Sequence, residues 1–389
     1  MAVSSKILAV ITAITCLFSG ASGKEQGLEQ LGEIIDRTEQ TADNDSGEIS
    51  STLDTVELCG KITIGWNLGN TLDATNGSGL STETSWGNPK ATEELILAVK
   101  EAGFNAVRIP TTWYTHCDEN YNIDLQWLDR VQTVVDYAYN NDMYVILNLH
   151  HENWHFTSYD NEREAKRILA KLWKQIAARF ADYDEHLIFE AMNEPRKVGT
   201  AYEWGAGDEE GRKVVNSLNA HFVKTVRATG GNNRYRALMI PTYAASASGL
   251  DWFELPADDH LIVSIHAYTP YNFAMNTGQW ATSKFSEDDA ESVKELNWLS
   301  AKLNELFVSK GIGVIIGECG ATDKGNLEDR LRWAKFFPDV FGQYGIPVFL
   351  WDNGSFGTGG EKYGLINRTT LKWAYPDYIK TLVESAENA

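Results

Sequence analysis

Leu187-Ile-Phe-Glu-Ala-Met-Asn-Glu-Pro195 is the stretch of the chain that best indicates its fold. It begins as a short apolar run, which is typical of a strand buried on both faces, and Pro195 ends strand pairing directly after Glu194. A second run, Gly313-Val-Ile-Ile-Gly-Glu-Cys319, has the same form and carries Glu318 near its end. We therefore expect two buried strands that each bring a carboxylate to one rim of a sheet.

Strand and helix patterns alternate along the chain from about residue 51 onward. Apolar runs predict strands over 61–66, 104–109, 144–149, 187–192, 237–240, 261–265, 314–316 and 348–351. Amphipathic spacing predicts helices over 53–58, 92–102, 126–139, 163–180, 209–228, 287–310, 327–341 and 373–383, with 251–255 as a weak candidate. Eight βα units in this length predict an α/β fold of the (β/α)8 type, a TIM barrel that forms a single catalytic domain. An open doubly wound sheet is the alternative, but no glycine-rich phosphate loop follows the first strand.

The composition of the 389-residue chain favours a neutral ligand. The formal net charge is −20, and the chain contains 13 Trp and 16 Tyr residues. A strongly acidic chain repels nucleic acid and anionic membrane surfaces, so neither is an expected partner. Flat aromatic rings suit the apolar C–H faces of pyranose rings, so a carbohydrate is compatible with this composition.

The N-terminal region has the pattern of an export signal followed by a spacer. Lys6 supplies a positive charge, 7–18 is an apolar run, and the small residues of 21–23 suit cleavage. A membrane anchor is the alternative, but the apolar run is short for a membrane span. We expect a secretory signal peptide over 1–23, an acidic disordered linker over 24–50 and the catalytic domain over 51–389. The protein is thus expected to be secreted and extracellular, without stable membrane insertion, and monomeric.

Polar and aromatic side chains follow the predicted strands, at the ends that form the active face of such a barrel. Reading these ends in chain order gives Trp66, Asn67, Arg108, His150, His151, Asn193, Glu194, His266, Tyr268, Glu318 and Trp351. A glutamate is usually solvated or salt-bridged at a protein surface. Because Glu194 and Glu318 both follow buried runs, and because the other side chains come from different strands, we interpret the set as an active site.

The two carboxylates suit acid and nucleophile chemistry on a sugar. One carboxyl group must be protonated so that it can protonate the leaving oxygen, while the other must be ionised so that it can attack. Arg108 and Tyr268 could hold the ionised group by charge and by hydrogen bonding.

Metal ligation is the alternative role for His150 and His151. Adjacent histidines on a strand point to opposite faces, which is poor geometry for one ion, and no third ligand stands at a metal-binding spacing. His266 and a glutamate could in principle combine with one of them. Hydrogen bonding to sugar hydroxyls is the favoured interpretation, and no metal or cofactor is expected.

The tryptophans that lie after strands or beside them, and that could stack on sugar rings, are Trp66, Trp86, Trp154 and Trp351.

Six motifs occur in order along the chain: Gly65-Trp-Asn-Leu-Gly-Asn-Thr-Leu-Asp-Ala74, Val107-Arg-Ile-Pro110, Leu149-His-His-Glu-Asn-Trp154, Asn193-Glu-Pro195, His266-Ala-Tyr268 and Gly317-Glu-Cys-Gly320. Together they resemble glycoside hydrolase family 5, and most closely its endo-β-1,4-glucanase (cellulase) branch. The resemblance extends from about Val56 to the C-terminus. It implies a barrel that hydrolyses β-glycosidic bonds with retention of configuration, on a β-glucan polysaccharide or oligosaccharide.

The resemblance also implies roles around the two carboxylates. Glu194 would be the acid/base and Glu318 the nucleophile, with Arg108 beneath the nucleophile. His266 and Tyr268 would be partners of the two carboxylates. For a retaining enzyme, we expect the two carboxyl groups to lie about 5–5.5 Å apart.

Further residues are expected to bind the substrate because they match motifs of the family. Asn193 would bind the 2-hydroxyl of the sugar being cleaved, His150 would contact the same sugar, and Trp351 would stack beneath its ring. The residues that match motifs of this branch without a defined role are Asn67, Trp86 and His151. The same machinery would serve xyloglucan, mixed-linkage glucan, mannan or xylan. A carbohydrate-binding barrel without turnover is the alternative from another class, but such a protein has no use for an acid and a nucleophile.

Overall fold

The computed structural model describes residues 47–358 and 360–389. The expected signal peptide (1–23) and residues 24–46 of the expected linker lie outside these ranges. The compact unit that carries the fold spans Glu48–Ala389. Ile49 is buried, and its backbone N–H donates to the Asn232 side chain over 3.1 Å. The chain therefore joins the fold slightly before the expected boundary at residue 51.

A closed barrel of parallel strands forms the centre of this unit, which confirms the expected (β/α)8 fold. Within the described residues the barrel strands are β1 (Gly65–Leu68), β2 (Ala106–Ile109), β3 (Tyr144–Asn148), β4 (Leu187–Glu190), β5 (Leu238–Pro241), β6 (Leu261–Ala267), β7 (Gly313–Cys319) and β8 (Val348–Asp352). They pair in chain order, and β8 closes the barrel on β1 with Asn67 opposite Trp351. Almost all strand residues are buried, because side chains fill the barrel and helices cover its outside.

The helices of the described residues are α1 (Thr55–Gly60), α2 (Glu93–Glu101), α3 (Leu125–Tyr139), α4 (Tyr159–Arg179), α5 (Glu209–Arg227), α6 (Tyr271–Ala274), α7 (Ala290–Leu306), α8 (Leu327–Gly342) and α9 (Pro376–Glu387). The residues that precede α1, α2, α3, α5 and α7 accept backbone N–H groups of the first turn and so define where these helices begin: Asp54, Thr92, Asp124, Asp208 and Asp289. The weakly predicted helix over 251–255 is a short 3-10 helix, Ala247–Trp252. Across the described part of the chain, no helix is both long and apolar enough to span a membrane.

Several predicted boundaries differ from the structure, and for the first strand and the last helix the structure shows the cause. The first strand begins at Gly65 rather than at residue 61, because the backbone N–H of Thr63 donates to the Asn105 side chain over 2.9 Å instead of to a neighbouring strand. The last helix begins at Pro376 rather than at residue 373, because Lys372–Trp373 pairs with Ile366–Asn367 in an antiparallel ribbon.

Helix α1 packs against the N-terminal end of the barrel. The Thr55 hydroxyl on α1 accepts the backbone N–H of Gly313, at the start of β7, over 2.9 Å. A Cβ at Gly313 would lie 2.6 Å from the carbonyl oxygen of Thr55, so only glycine permits this approach. Leu58 belongs to the same cluster of buried side chains as Met239 and Phe349 of the barrel. Helix α1 thus covers part of the N-terminal end of the barrel.

Candidate active site

Arg108 on β2 is the central cation at the C-terminal face of the barrel, and its side chain is completely buried. The acceptors of its guanidinium are Glu318 Oε1 (2.8 Å), Glu190 Oε2 (2.8 Å), Asn67 Oδ1 (2.9 Å) and Asn193 Oδ1 (2.7 Å). Burial alone would lower the pKa of Arg108, but the charges of Glu190 and Glu318 outweigh it and raise the pKa. A planar guanidinium suits this position because its N–H groups point in fixed directions toward separate acceptors.

Glu318 lies in β7, with 7% of its side chain exposed. Its Oε1 accepts from Arg108, and its Oε2 accepts from the Tyr268 hydroxyl over 3.0 Å. Burial, together with the Glu318 charge, raises the pKa of Tyr268 well above its usual value, so the hydroxyl remains a donor. Each oxygen of the Glu318 carboxylate thus accepts from one donor, one of them charged and the other neutral.

Glu194 lies in the loop after β4, with 18% of its side chain exposed. His266 Nδ1 donates to Glu194 Oε1 over 2.9 Å and lies 3.7 Å from Glu318 Oε2. Arg196 Nη1 donates to the other carboxylate oxygen of Glu194 over 3.2 Å. The pairing of β6 with β7 shifts register between Ile265 and His266, and this shift sets His266 opposite Glu318.

The pKa shifts of His266 and Glu194 have opposite directions, which favours a proton on His266 over a proton on Glu194. Burial alone would raise the pKa of Glu194, but the hydrogen bond and charge of His266, with the charge of Arg196, outweigh it and lower the pKa. Burial also opposes charge on His266, but the carboxylates of Glu318 and Glu194 outweigh it and raise the pKa of the imidazole. The imidazole is thus a proton source for Glu194, with His266 Nδ1 2.9 Å from the carboxylate oxygen.

The two carboxylates lie close together across the strand ends. One oxygen of Glu194 and one oxygen of Glu318 are within 4.8 Å of each other, and a ring nitrogen of His266 is within the same distance of both. Three such groups could hold a metal ion by distance alone. His266 Nδ1, however, donates a proton to Glu194 and so has no lone pair for an ion.

His150 and His151 lie in the loop after β3, which ends at Asn148. The prediction that they point to opposite faces is wrong, because strand alternation stops at Asn148 and their ring centroids are 4.4 Å apart. Asp73 could join them around an ion, since ligand atoms of the three lie within 4.8 Å of one another. The Asn148 amide donates to His150 Nδ1 over 3.1 Å, and burial together with His151 lowers the pKa of His150. His150 is therefore neutral with its proton on Nε2, which makes Nε2 a hydrogen-bond donor rather than a metal ligand.

The two asparagines of the predicted site have different surroundings. Asn67 is completely buried, its Oδ1 accepts from Arg108, and its Nδ2 donates to the Gly317 carbonyl over 3.0 Å. Asn67 and Arg108 are both buried against protein partners, and Arg108 contacts Glu318 as its expected place beneath the nucleophile implies. Contact of either side chain with the substrate stays a prediction. Asn193 also accepts from Arg108 through Oδ1, and this bond orients its Nδ2 group as a donor for a ligand.

Two of the predicted aromatic residues lie beside the histidines. The Trp351 ring is parallel to the His150 ring, with centroids 5.9 Å apart and an interplanar angle of 2°. Gly69 packs against Trp351, and a Cβ at this glycine would lie 2.7 Å from the indole, so Gly69 leaves room for the ring. Trp86 is partly exposed, with its ring centroid 5.5 Å from that of His151.

Two other tryptophans of the predicted set are buried and donate to carboxylates of the protein. Trp66 is completely buried, and its indole N–H donates to Asp352 Oδ2 over 3.1 Å. Trp154 is 6% exposed and donates to Glu152 Oε2 over 2.6 Å. Both indoles stabilise the protein from inside, which the position of a residue near a strand end does not reveal.

Two charged residues of the site, Glu190 and Arg196, were not predicted from the sequence. Glu190 is completely buried in β4 and accepts from Arg108, from Asn148 (3.1 Å) and from the Ser264 hydroxyl (2.7 Å). A signal was present, because a glutamate that follows Leu-Ile-Phe in a buried strand needs a buried cation as its partner. Arg196 directly follows the Asn-Glu-Pro motif, but nothing in its spacing reveals that its side chain turns back toward Glu194.

Replacement of Glu190 by glutamine is expected to lower the free energy of unfolding by about 3–5 kcal/mol, because it removes one of two carboxylates that compensate a buried arginine. Urea denaturation followed by circular dichroism measures this change. The matched control is Glu164→Gln on α4, where the carboxylate pairs with Arg167 and both side chains are about half exposed. The control should unfold like the parent, and equal stability of Glu190→Gln and the parent would contradict the prediction.

A family model described as "Cellulase (glycosyl hydrolase family 5)" matches residues 69–357 of the chain. This range begins at the end of β1 and continues past β8, so it includes the two carboxylates and Arg108.

Individual proteins are similar to the chain over most of its length. Endoglucanase B of Neocallimastix patriciarum is 50% identical over 345 residues, which cover 86% of this chain and 72% of that protein. The structure of a GH5-4 broad specificity endoglucanase from Clostridium longisporum has a TM-score of 0.84 and 42% identity, and the match covers 87% of this chain and 99% of that one. A GH5-4 broad specificity endoglucanase from Ruminococcus champanellensis with bound cellotriose has a TM-score of 0.81 and 47% identity, over 85% and 98% of the two chains.

Proposed function

The chain belongs to glycosyl hydrolase family 5, the cellulase family, and on that premise we propose the reaction that it catalyses. It is a glycoside hydrolase and an endoglucanase that acts on β-glucans. In our proposal it cleaves internal β-1,4-glucosidic bonds with retention of the anomeric configuration. Glu318 acts as the nucleophile, and Glu194 acts first as the acid and then as the base.

The observation that carries this proposal is the pairing of two carboxylates with unlike partners. Their nearest oxygens lie within 4.8 Å, which agrees better with the 5–5.5 Å carboxyl separation of retaining enzymes than with the roughly 6.5–9.5 Å of inverting ones. Arg108 and Tyr268 each donate to one oxygen of Glu318, and these bonds orient its carboxylate as a nucleophile requires. Glu194 has a proton source 2.9 Å away in His266, as an acid requires.

In the first step, the Glu318 carboxylate attacks the anomeric carbon, and the bond from that carbon to the leaving oxygen breaks. Glu194 protonates the leaving oxygen. The proton reaches Glu194 from His266 Nδ1 along the 2.9 Å hydrogen bond when the bound sugar displaces water, because desolvation favours a neutral pair over an ion pair. The products of this step are a glycosyl ester on Glu318 and a shortened glucan chain.

In the second step, Glu194 acts as the base. The ester on Glu318 is uncharged, so the cluster of Glu318, Glu194 and His266 carries less negative charge than before the first step. Glu194, which has given its proton to the leaving oxygen, is ionised and can take a proton from water. The resulting hydroxide attacks the anomeric carbon from the face that the leaving group vacated, and the bond to Glu318 breaks. Arg108 and Tyr268 then stabilise the carboxylate that is released.

The sugar at the cleavage point would be held by donors and by an aromatic ring. His150 Nε2–H and the Nδ2 group of Asn193 are donors whose directions are set by Asn148 and Arg108. Hydrogen bonds to sugar hydroxyls that strengthen in the transition state contribute to catalysis. Trp351 offers an apolar face to the sugar ring. The bound cellotriose of a relative that is 47% identical supports a cello-oligosaccharide as the ligand.

The stereochemical outcome tests this mechanism. When cellohexaose is hydrolysed inside an NMR tube, the first new anomeric signal is expected to be that of the β-anomer, and the α-signal should grow only later by mutarotation. Early appearance of the α-anomer would indicate inversion and would overturn the assignment of Glu318 as nucleophile.

The substrate range is the part of the proposal for which specific alternatives exist. A GH5 xyloglucan-specific endo-beta-1,4-glucanase and a GH5 family lichenase are among the structural relatives, so xyloglucan and mixed-linkage glucan are the alternative substrates. Release of reducing sugar from carboxymethylcellulose, lichenan, xyloglucan, mannan and xylan distinguishes them. We expect the β-glucans to be hydrolysed fastest, whereas turnover of mannan or xylan alone would contradict the proposal.

A further inference from the structure

Arg196 donates to the oxygen of the Glu194 carboxylate that His266 does not contact. Its Nη1 donates to Glu194 Oε2 over 3.2 Å and to the Glu194 carbonyl oxygen over 2.9 Å. Its Nε donates to Glu203 Oε1 over 3.4 Å, and its guanidinium carbon lies 4.0 Å from the centroid of the Trp204 ring. The arginine is thus fixed by a carboxylate pair, a carbonyl group and an aromatic face.

The loop that carries both residues is also held in place. The carbonyl of Pro195, between Glu194 and Arg196, accepts the backbone N–H of Ala244 over 3.1 Å. The backbone N–H of Lys197 donates to the Tyr243 hydroxyl over 2.8 Å. The distance between the Arg196 charge and the Glu194 carboxylate is therefore set by the fold and not by a mobile side chain on a mobile loop.

Four charged or titratable groups face Glu194 from the surrounding elements. His266 comes from β6, Glu318 from β7 and Arg196 from the same loop, and His151, in the loop after β3, acts on Glu194 through its charge. His266 can exchange its proton with Glu194, and Glu318 loses its charge when it is esterified. Arg196, in contrast, keeps a constant positive charge throughout the reaction.

We propose that Arg196 is a positioning residue that favours the ionised form of Glu194 and so sets the pH range in which Glu194 can alternate between acid and base. This inference rests on the acid/base role of Glu194. A constant positive charge beside the carboxylate makes the base of the second step available at lower pH. The same charge makes the acid of the first step lose its proton at lower pH, so both steps shift together toward acidic conditions. The direction agrees with the lowered pKa of Glu194, to which Arg196 contributes after His266.

The test is the pH profile of Arg196→Met, which keeps the length of the side chain and removes its charge. Two profiles are measured. The basic limb of kcat/KM on cellotetraose reports loss of the proton that the His266–Glu194 pair supplies in the first step. The acidic limb of kcat on dinitrophenyl β-cellobioside reports the base of the second step. We expect both limbs to move up by about one pH unit, at the lower end of the effect of a neighbouring charge because the pair is partly exposed. A role in packing alone would lower both rates without moving either limb.

Matched variants separate charge from shape. Arg196→Lys keeps the positive charge and should leave both limbs within about 0.3 unit of the parent. Glu203→Gln changes the other carboxylate that contacts Arg196 while the bond to Glu194 remains, and it should also leave the limbs in place. Trp204→Leu removes the aromatic face that holds the guanidinium and should shift the limbs in the same direction as Arg196→Met, but less. Trp204→Leu therefore weakens the effect of the Arg196 charge on Glu194, and it replaces Arg196→Met as the test if that variant does not fold.

The outcome also separates this inference from the proposed function. In Glu194→Gln, the basic limb of kcat/KM should disappear if Glu194 is the acid, and its persistence would contradict the proposed function itself. If the limb disappears in Glu194→Gln but is unshifted in both Arg196→Met and Trp204→Leu, the role of Arg196 is overturned and the acid/base assignment stands.

Discussion

Replacement of Glu318 by glutamine is expected to reduce kcat on carboxymethylcellulose by at least about 10⁴-fold, because no other group can form the glycosyl ester. The amide keeps the shape of the side chain, but it is a poor nucleophile, and its NH2 group would face one of the donors, Arg108 or Tyr268. Release of reducing sugar measures the loss. Glu361→Gln changes an exposed carboxylate in the segment that follows β8 and should keep the parent rate.

A fluorinated cellobioside that forms a long-lived glycosyl-enzyme identifies the nucleophile independently of any rate. Peptide mass spectrometry after labelling should find the sugar on the peptide that contains Glu318. A label on Glu194, or a Glu318→Gln variant that keeps more than about a tenth of the parent activity, would show that the roles of the two carboxylates have been assigned incorrectly.

Replacement of Glu194 by glutamine is expected to lower kcat/KM on cellotetraose by about 10²–10⁴-fold, since general acid catalysis typically contributes that much. On dinitrophenyl β-cellobioside the first step needs little protonation and should remain fast, whereas the second step loses its base. The expected result is a burst of dinitrophenol followed by slow turnover. Stopped-flow absorbance measures the burst and the later rate separately.

Azide provides a control for the Glu194→Gln variant. A small anionic nucleophile needs no proton removal, so azide should accelerate the slow phase of Glu194→Gln and yield β-cellobiosyl azide as the product. The parent enzyme, whose base is intact, should respond little. Equal losses on cellotetraose and on the dinitrophenyl substrate, with no effect of azide, would count against Glu194 as the acid/base.

The fold was predictable because each barrel strand is a short apolar run that is buried on both faces. For β4 and β7 the runs around Phe189 and Ile316 were enough to locate the strands, although the pattern could not place their ends. The ends depend on pairing between strands: β7 continues to Cys319 because it pairs with β6, and the segment before Gly65 is not a strand because it has no such neighbour. Boundaries of this kind follow from tertiary contacts and not from local propensity.

The partners of the catalytic residues were predictable only in part. Tyr268 and His266 lie on the same short motif and both contact the carboxylates, as the family resemblance implies. Asn67 and Trp66 lie on another such motif, yet both are completely buried. Asn67 accepts a hydrogen bond from Arg108, and Trp66 donates one to Asp352. Residues that are adjacent in sequence can point into the cleft or into the core, and the direction depends on how the barrel closes.

The amino-acid sequence alone was sufficient to predict a (β/α)8 barrel and the two glutamates on its active face, because alternating apolar runs and strand-end carboxylates are local patterns. Only the tertiary structure decided which cations and which imidazole face each carboxylate. Arg108, His266 and Arg196 act on Glu318 and Glu194 over about 3 Å, at contacts that the barrel makes between distant parts of the chain and within the loop after β4. Electrostatic interactions of this strength depend on distance and burial, and neither quantity can be read from residue order.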